Sequence, residues 1–263
     1  MTEDLSVLDR AASPPDEVVK YGDAVDQAAD VRFGDQRARL RPLVLLIHGG
    51  FWRPQYDRAQ TGPMAAEVAA LGWTAAAIGY RRIPGLPDAT VADVALALER
   101  LPAQVAQHDG RVILIGHSAG GHLALLAATK HATPALSGVL ALAPAADLQL
   151  ADELGLGNGA VHAFLGTTPD ARVDLDPRQL DTPSVATIFV HGEDDAVVPL
   201  AISESYQATH AAIQLLRLEA CGHFALIDPL SPAWPTVVRE LERLSAGDRV
   251  AIVPQAVAHL SCE

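Results

Sequence analysis

The stretch Val112-Ile113-Leu114-Ile115-Gly116-His117-Ser118-Ala119-Gly120-Gly121-His122-Leu123-Ala124-Leu125-Leu126 runs four apolar residues into Gly-x-Ser-x-Gly and then into an Ala/Leu-rich helix former. A buried strand, a sharp turn and a helix start, in that order, make a nucleophile elbow. Such a turn strains the backbone at Ser118, so the positions two residues to either side must be small, and Gly116 and Gly120 meet that need. The helix that begins at Ala119 points unpaired N–H groups and the positive end of its dipole at whatever lies over Ser118. Gly-x-Ser-x-Gly also occurs as an ordinary structural turn. Here the flanking strand and helix favour a nucleophile.

Outward from the elbow, strands and helices alternate. Residues 43–47 are a continuous apolar run that suits a buried parallel strand, and it leads into His48-Gly49-Gly50-Phe51-Trp52. A helix over 62–71, with Pro63 in its first turn, precedes a strand over 73–78. Val91, Val94, Ala95 and Leu98 recur at helical spacing within 88–101. Strands are expected over 138–143, 184–190 and 214–219, and helices over 200–212 and 234–244. This alternation predicts an α/β fold: a mostly parallel central sheet, helices on both faces, and ligands at the carboxyl ends of the strands. The domain is expected to span 30–247, opening on a short edge strand over 30–34. A lead-in over 1–29 wraps the surface, and a tail over 248–263 carries the unplaced apolar run Val250 to Val253. Residues 144–183 mix Gly, Asn, Asp and Pro. That is too long for an ordinary connection and reads as a lid that shapes the pocket.

Bulk properties narrow the function. At 263 residues and 49% apolar content the chain can bury a large core. A net charge of −13 without a basic cluster excludes a nucleic-acid binder and disfavours anionic membrane surfaces. The first seventeen residues are acidic, with no signal-peptide pattern, and no apolar run reaches membrane-spanning length, so a cytoplasmic location is expected. Cys221 and Cys262 read as two free thiols. His117 and His122 are five apart and straddle the turn, which is not a metal-ligand spacing, so no metal or other cofactor is expected.

A serine hydroxyl needs a base in hydrogen-bond contact, and the base needs a carboxylate to hold its tautomer. In elbow hydrolases the order along the chain is Ser, then acid, then His. Ser118, the Glu193-Asp194-Asp195 cluster after the 184–190 strand, and His223 after the last strand follow it. Spacing does not choose among the three acids. His48, His117, His122 and His191 each adjoin a glycine at a strand end and read as loop-forming residues. The N–H of Ala119 is one donor for an oxyanion, and further donors are expected from the His48-Gly49-Gly50 loop.

From about 43 to 244 the chain resembles α/β-hydrolases, in particular esterases with a His-Gly-Gly motif and arylformamidase (kynurenine formamidase)-like hydrolases. The motifs are His48-Gly49-Gly50-Phe51-Trp52, Tyr80-Arg81, Gly116-His117-Ser118-Ala119-Gly120-Gly121-His122-Leu123, His191-Gly192-Glu193-Asp194-Asp195-Ala196-Val197-Val198-Pro199 and Gly222-His223-Phe224. The resemblance implies Asp195 as the acid and the N–H groups of Gly50 and Phe51 as partners of Ala119 in the oxyanion hole. Phe51 stands where hormone-sensitive-lipase-like esterases carry a third glycine, and the chain before residue 43 is too short for their cap. The expectation is a cofactor-free serine hydrolase acting on a small ester or aryl amide, with arylformamide the more specific candidate. Trp52 and Phe51 would stack an aromatic substrate, unless they pack into the core instead. Two other classes compete. A binding-only relative of the fold usually lacks a triad member, and none is missing here. A phosphate-binding loop would want Lys-Ser/Thr where His122-Leu123 stand.

Overall fold

The computed structural model describes residues 3–247. Cys262 and the apolar run at 250–253 lie outside the described residues. Eight strands form one sheet in the order β1-β2-β4-β3-β5-β6-β7-β8. They are β1 (Glu17–Lys20), β2 (Ala28–Arg32), β3 (Leu43–Ile47), β4 (Ala75–Ile78), β5 (Val112–His117), β6 (Leu136–Leu142), β7 (Ala186–Gly192) and β8 (Gln214–Leu218). Strands β3 to β8 are mutually parallel, while β2 runs antiparallel to both β1 and β4.

The helices are α1 (Gly62–Ala70), α2 (Pro87–Gln104), α3 (Ala119–Lys130), α4 (Leu148–Glu153), α5 (Ala160–Leu165), α6 (Ala201–Thr209) and α7 (Trp234–Ala246). Side-chain alternation along the strands splits the core into two layers. In β3, Leu43, Leu45 and Ile47 face the layer filled by α2, α3 and α6, whereas Val44 and Leu46 face α1 and α7. Parallel strands covered on both faces must be apolar on both, which is why β3 and β5 read as unbroken apolar runs.

Two elements differ from the sequence reading. The edge strand is β1, which lies inside the segment read as a lead-in, and the strand expected at 30–34 is instead the interior strand β2. Only Val19 of β1 is buried, and Pro14-Pro15 precede it, so its own residues carry no strand period. Pairing with β2 is what makes it a strand. The 144–183 excursion folds into α4, α5 and two 3-10 turns whose apolar residues, among them Leu148, Phe164 and Leu175, join the α2/α3/α6 layer. No helix among the described residues is long and apolar enough to cross a membrane.

Candidate active site

Ser118 sits between β5 and α3 with φ 56° and ψ −119°, a backbone region that L residues rarely adopt. The neighbouring glycines make the turn possible. A Cβ at Gly120 would stand 2.0 Å from the carbonyl oxygen of Ile47, and one at Gly116 would stand 2.2 Å from that of Gly120. The turn thereby presses α3 against the end of β3 and leaves the Ser118 hydroxyl with no hydrogen-bond partner among the described residues.

The hydroxyl faces a cavity of about 500 Å³, mouth included, whose lining includes Gly50, Phe51, Tyr56, His117, Ser118 and His223. Leu8, from the segment read as a lead-in, also lines it, as do Thr61 and Phe224.

His223 follows β8 and is almost wholly buried. Its Nδ1–H donates to Asp195 Oδ2 at 2.6 Å. That bond orients Nε2 as the free, proton-accepting nitrogen. Asp195 is buried after β7, and its other oxygen, Oδ1, accepts the N–H groups of Val197 (2.9 Å) and Val198 (2.7 Å). His191 Nε2 lies 2.8 Å from the Val198 carbonyl and 3.3 Å from Asp195 Oδ2, while Ser203 Oγ lies 2.7 Å from its Nδ1. Burial alone would raise the Asp195 carboxyl, but the bonds from His191 and His223 outweigh it and hold the pKa well below the usual carboxylate range. Glu193 is exposed and Asp194 half-buried, and neither makes a side-chain bond to His223.

The other histidines of the strand ends also have fixed places. His117 lies against His223, ring centroids 4.4 Å apart, and its Nε2–H donates to the His223 carbonyl at 3.1 Å. Burial, reinforced by the adjacent His223, pushes the His117 pKa well below its ordinary value, so it is neutral. His48 stacks on Tyr80 at 4.3 Å. His117 and His191 thus each bond to the backbone of a loop beyond a strand end, His117 at His223 and His191 at Val198. The His191-Gly192 pair at a strand end was the signal available for His191.

The loop after β3 turns through three consecutive residues of positive φ: Gly50 (97°), Phe51 (52°) and Trp52 (56°). The N–H groups of Gly50, Phe51 and Ala119 make no hydrogen bond among the described residues, and Gly50 and Phe51 border the same cavity as Ser118. Donors left free around a nucleophile are what a developing oxyanion needs. Trp52 is a correction. It is 4% exposed, stacks on Phe164 at 4.6 Å, and donates from Nε1 to His122 Nδ1 at 3.3 Å. Its positive φ swings the indole into the core, away from the cavity wall. Residues 144–183 likewise supply no lining side chain. They reach the site only by backing Phe51 against Gly157 and by the Gly157 carbonyl, which accepts from Arg53.

With this geometry in hand, residues 29–149 match the BD-FAE family. The chain is 28% identical over 192 residues to esterase LipQ of Mycobacterium tuberculosis (65% of this chain, 46% of the relative). It is 30% identical over 137 residues to kynurenine formamidase of Danio rerio (50% and 46%). Among solved structures, esterase B of Lactobacillus rhamnosis superposes with a TM-score of 0.70 at 22% identity, covering 89% of this chain and 88% of that one. The chain has the α/β-hydrolase fold. It spans less than half the length of these two curated relatives. The BD-FAE match takes in the His48-Gly49-Gly50 loop and the elbow and stops short of Asp195 and His223.

Proposed function

We propose that the protein is a serine hydrolase that cleaves a small carboxylic ester or aryl amide through an acyl-enzyme. The observation that carries this reading is the 2.6 Å bond from His223 Nδ1 to a buried Asp195, with His223 and Ser118 bordering one cavity. In the reaction, Ser118 Oγ attacks the substrate carbonyl carbon while His223 Nε2 takes the hydroxyl proton. Asp195 balances the imidazolium that forms. The negative charge moves to the carbonyl oxygen, where the N–H groups of Ala119, Gly50 and Phe51 receive it. Collapse of the tetrahedral species breaks the bond to the alcohol or amine, which leaves with the proton from His223. Water then gives a proton to the same nitrogen and attacks the acyl-serine, releasing the acid and restoring the hydroxyl.

Esterase relatives support the ester arm. The arylformamide arm is favoured by the Danio rerio relative and by the aromatic wall that Phe51, Tyr56 and Phe224 give the cavity. The test is labelling with a fluorophosphonate, followed by rates on p-nitrophenyl esters of increasing acyl length and on N-formylkynurenine under one set of conditions. Labelling at Ser118 with ester turnover is expected. An unlabelled serine would leave a binding protein built on a hydrolase fold, and a preference for N-formylkynurenine by orders of magnitude would select the formamidase arm.

A further inference from the structure

Residues 3–15 cross the site. Val7 is buried in the α1/α7 core layer. The Arg10 guanidinium makes a two-pronged pair with Asp228, five residues past His223. The Ser13 carbonyl accepts from Arg32 Nη2 at 2.6 Å. Among these anchors Leu8 borders the cavity. Ahead of them, the Glu3 carboxylate lies between two loops. Its Oε1 accepts the N–H of Ala196 at 3.0 Å, the residue after Asp195, and its Oε2 accepts the N–H of His223 itself at 2.8 Å. Gly222 makes the approach possible, because a Cβ there would stand 2.5 Å from Glu3 Oε2.

We propose that this segment is a strap that completes the active site, with Glu3 as a positioning residue that ties the acid loop to the base loop and Leu8 as a residue that sets the acyl or alcohol length admitted. The proposal rests on the Ser118–His223–Asp195 reading. The acid loop follows β7 and the base loop follows β8, so nothing in chain connectivity holds their tips in register. Apart from the Asp195–His223 bond itself, the backbone bonds Asp194 N–H to Cys221 carbonyl (3.0 Å) and Glu193 N–H to Leu218 carbonyl (2.9 Å) join them. Both precede the reacting residues in their loops. Glu3 is the tie on the far side, and it is charge-assisted at both ends. With both loops pinned there, the His223 ring is held on Asp195, and displacement of such a group by about 1 Å costs on the order of a hundredfold in rate. The stretch matched to the BD-FAE family begins at residue 29, so the strap lies outside it.

The test uses the full chain with Glu3→Ala, Glu3→Gln, Leu8→Ala and Leu8→Trp. Glu3→Ala is expected to lower kcat for p-nitrophenyl acetate by roughly 10–100-fold with KM little changed, and Glu3→Gln, which keeps one acceptor oxygen, to fall between it and wild type. Amide exchange at Ala196 and His223 should rise by about tenfold or more in Glu3→Ala, while the β5 amides keep their protection. Leu8→Trp should lower the octanoate-to-acetate ratio of kcat/KM by roughly tenfold, and Leu8→Ala should raise it. Unchanged exchange at Ala196 and His223 overturns the tie whatever the activity does, and faster exchange with unchanged kcat overturns its positioning role. A length preference indifferent to Leu8 overturns the wall. Should wild type resist fluorophosphonate while Glu3→Ala still frees both amides, the tie stands and the hydrolase reading falls.

Discussion

Ser118 is held at positive φ by its neighbours, at a cost of about 1–3 kcal/mol that the surrounding packing must offset. Ser118→Ala keeps the backbone and removes only the oxygen. It should abolish turnover and fluorophosphonate labelling while leaving the thermal midpoint within a degree or two, which differential scanning calorimetry would check. Retained labelling would move the nucleophile elsewhere. The acid of the proposed triad is Asp195, whose Oδ1 accepts two backbone N–H groups and whose Oδ2 accepts from His223 at 2.6 Å. Asp195→Asn should cost about 10³–10⁴ in kcat by disfavouring the productive tautomer, against a few-fold for Asp194→Asn, in steady-state assays. The pH profile follows from the same contacts. Because its folded pKa is depressed, Asp195 stays ionised in any assay above about pH 4. Loss of rate on acidification should therefore come as a single step to which Asp195 does not contribute. A second carboxylate step in kcat/KM would count against this arrangement.

Among the elements, the elbow joins β5 to α3 with no slack. Gly120→Ala must move the end of β3, since its Cβ would meet the Ile47 and His48 carbonyls at 2.0 and 2.5 Å. Backbone cannot yield as a flexible side chain does. We expect a loss of at least about 2–3 kcal/mol in urea unfolding, together with loss of labelling. An unperturbed midpoint would mean that the turn has room it is not shown to have. The buried strands and amphipathic helices of this layout were legible because their periods are local properties of the chain. Strands β3 and β5 declare themselves by apolar runs, and α2 by its apolar spacing. The edge strand β1 was not legible, because a short half-exposed strand owes its conformation to the partner it pairs with. Trp52 shows the same limit at one position. Its neighbours in the chain point to a pocket mouth, whereas a positive φ and the distant Phe164 decide where the ring goes.

At the scale of the molecule, the 144–183 excursion carries its own pH dependence. Asp176 is 1% exposed, its Oδ2 has no partner among the described residues, and burial, with help from Asp147, lifts its pKa to about 6 against the bonds from Leu148 and Arg178. A carboxyl whose folded pKa exceeds its unfolded value of about 3.9 favours folding when protonated. Its contribution is present below about pH 4 and is lost as pH rises through about 6. Asp176→Asn should therefore gain on wild type across that window by on the order of 2–3 kcal/mol, read as the difference in urea midpoints at pH 4 and pH 7. A difference independent of pH would mean that Asp176 ionises freely.

The amino-acid order by itself determined the α/β layering, the nucleophile turn and the short list of residues suited to the chemistry, because periodicity, turn sterics and motif spacing are written along the chain. Spacing left three carboxylates open and the family resemblance pointed to Asp195, while the contact with His223, the place of Trp52 and the walls of the cavity belong to the tertiary structure. Residues 195 and 223 are brought within reach by sheet order and strand direction, residues 3 and 8 by the anchors of the segment before β1, and no local pattern in the chain encodes a distance between two strand ends.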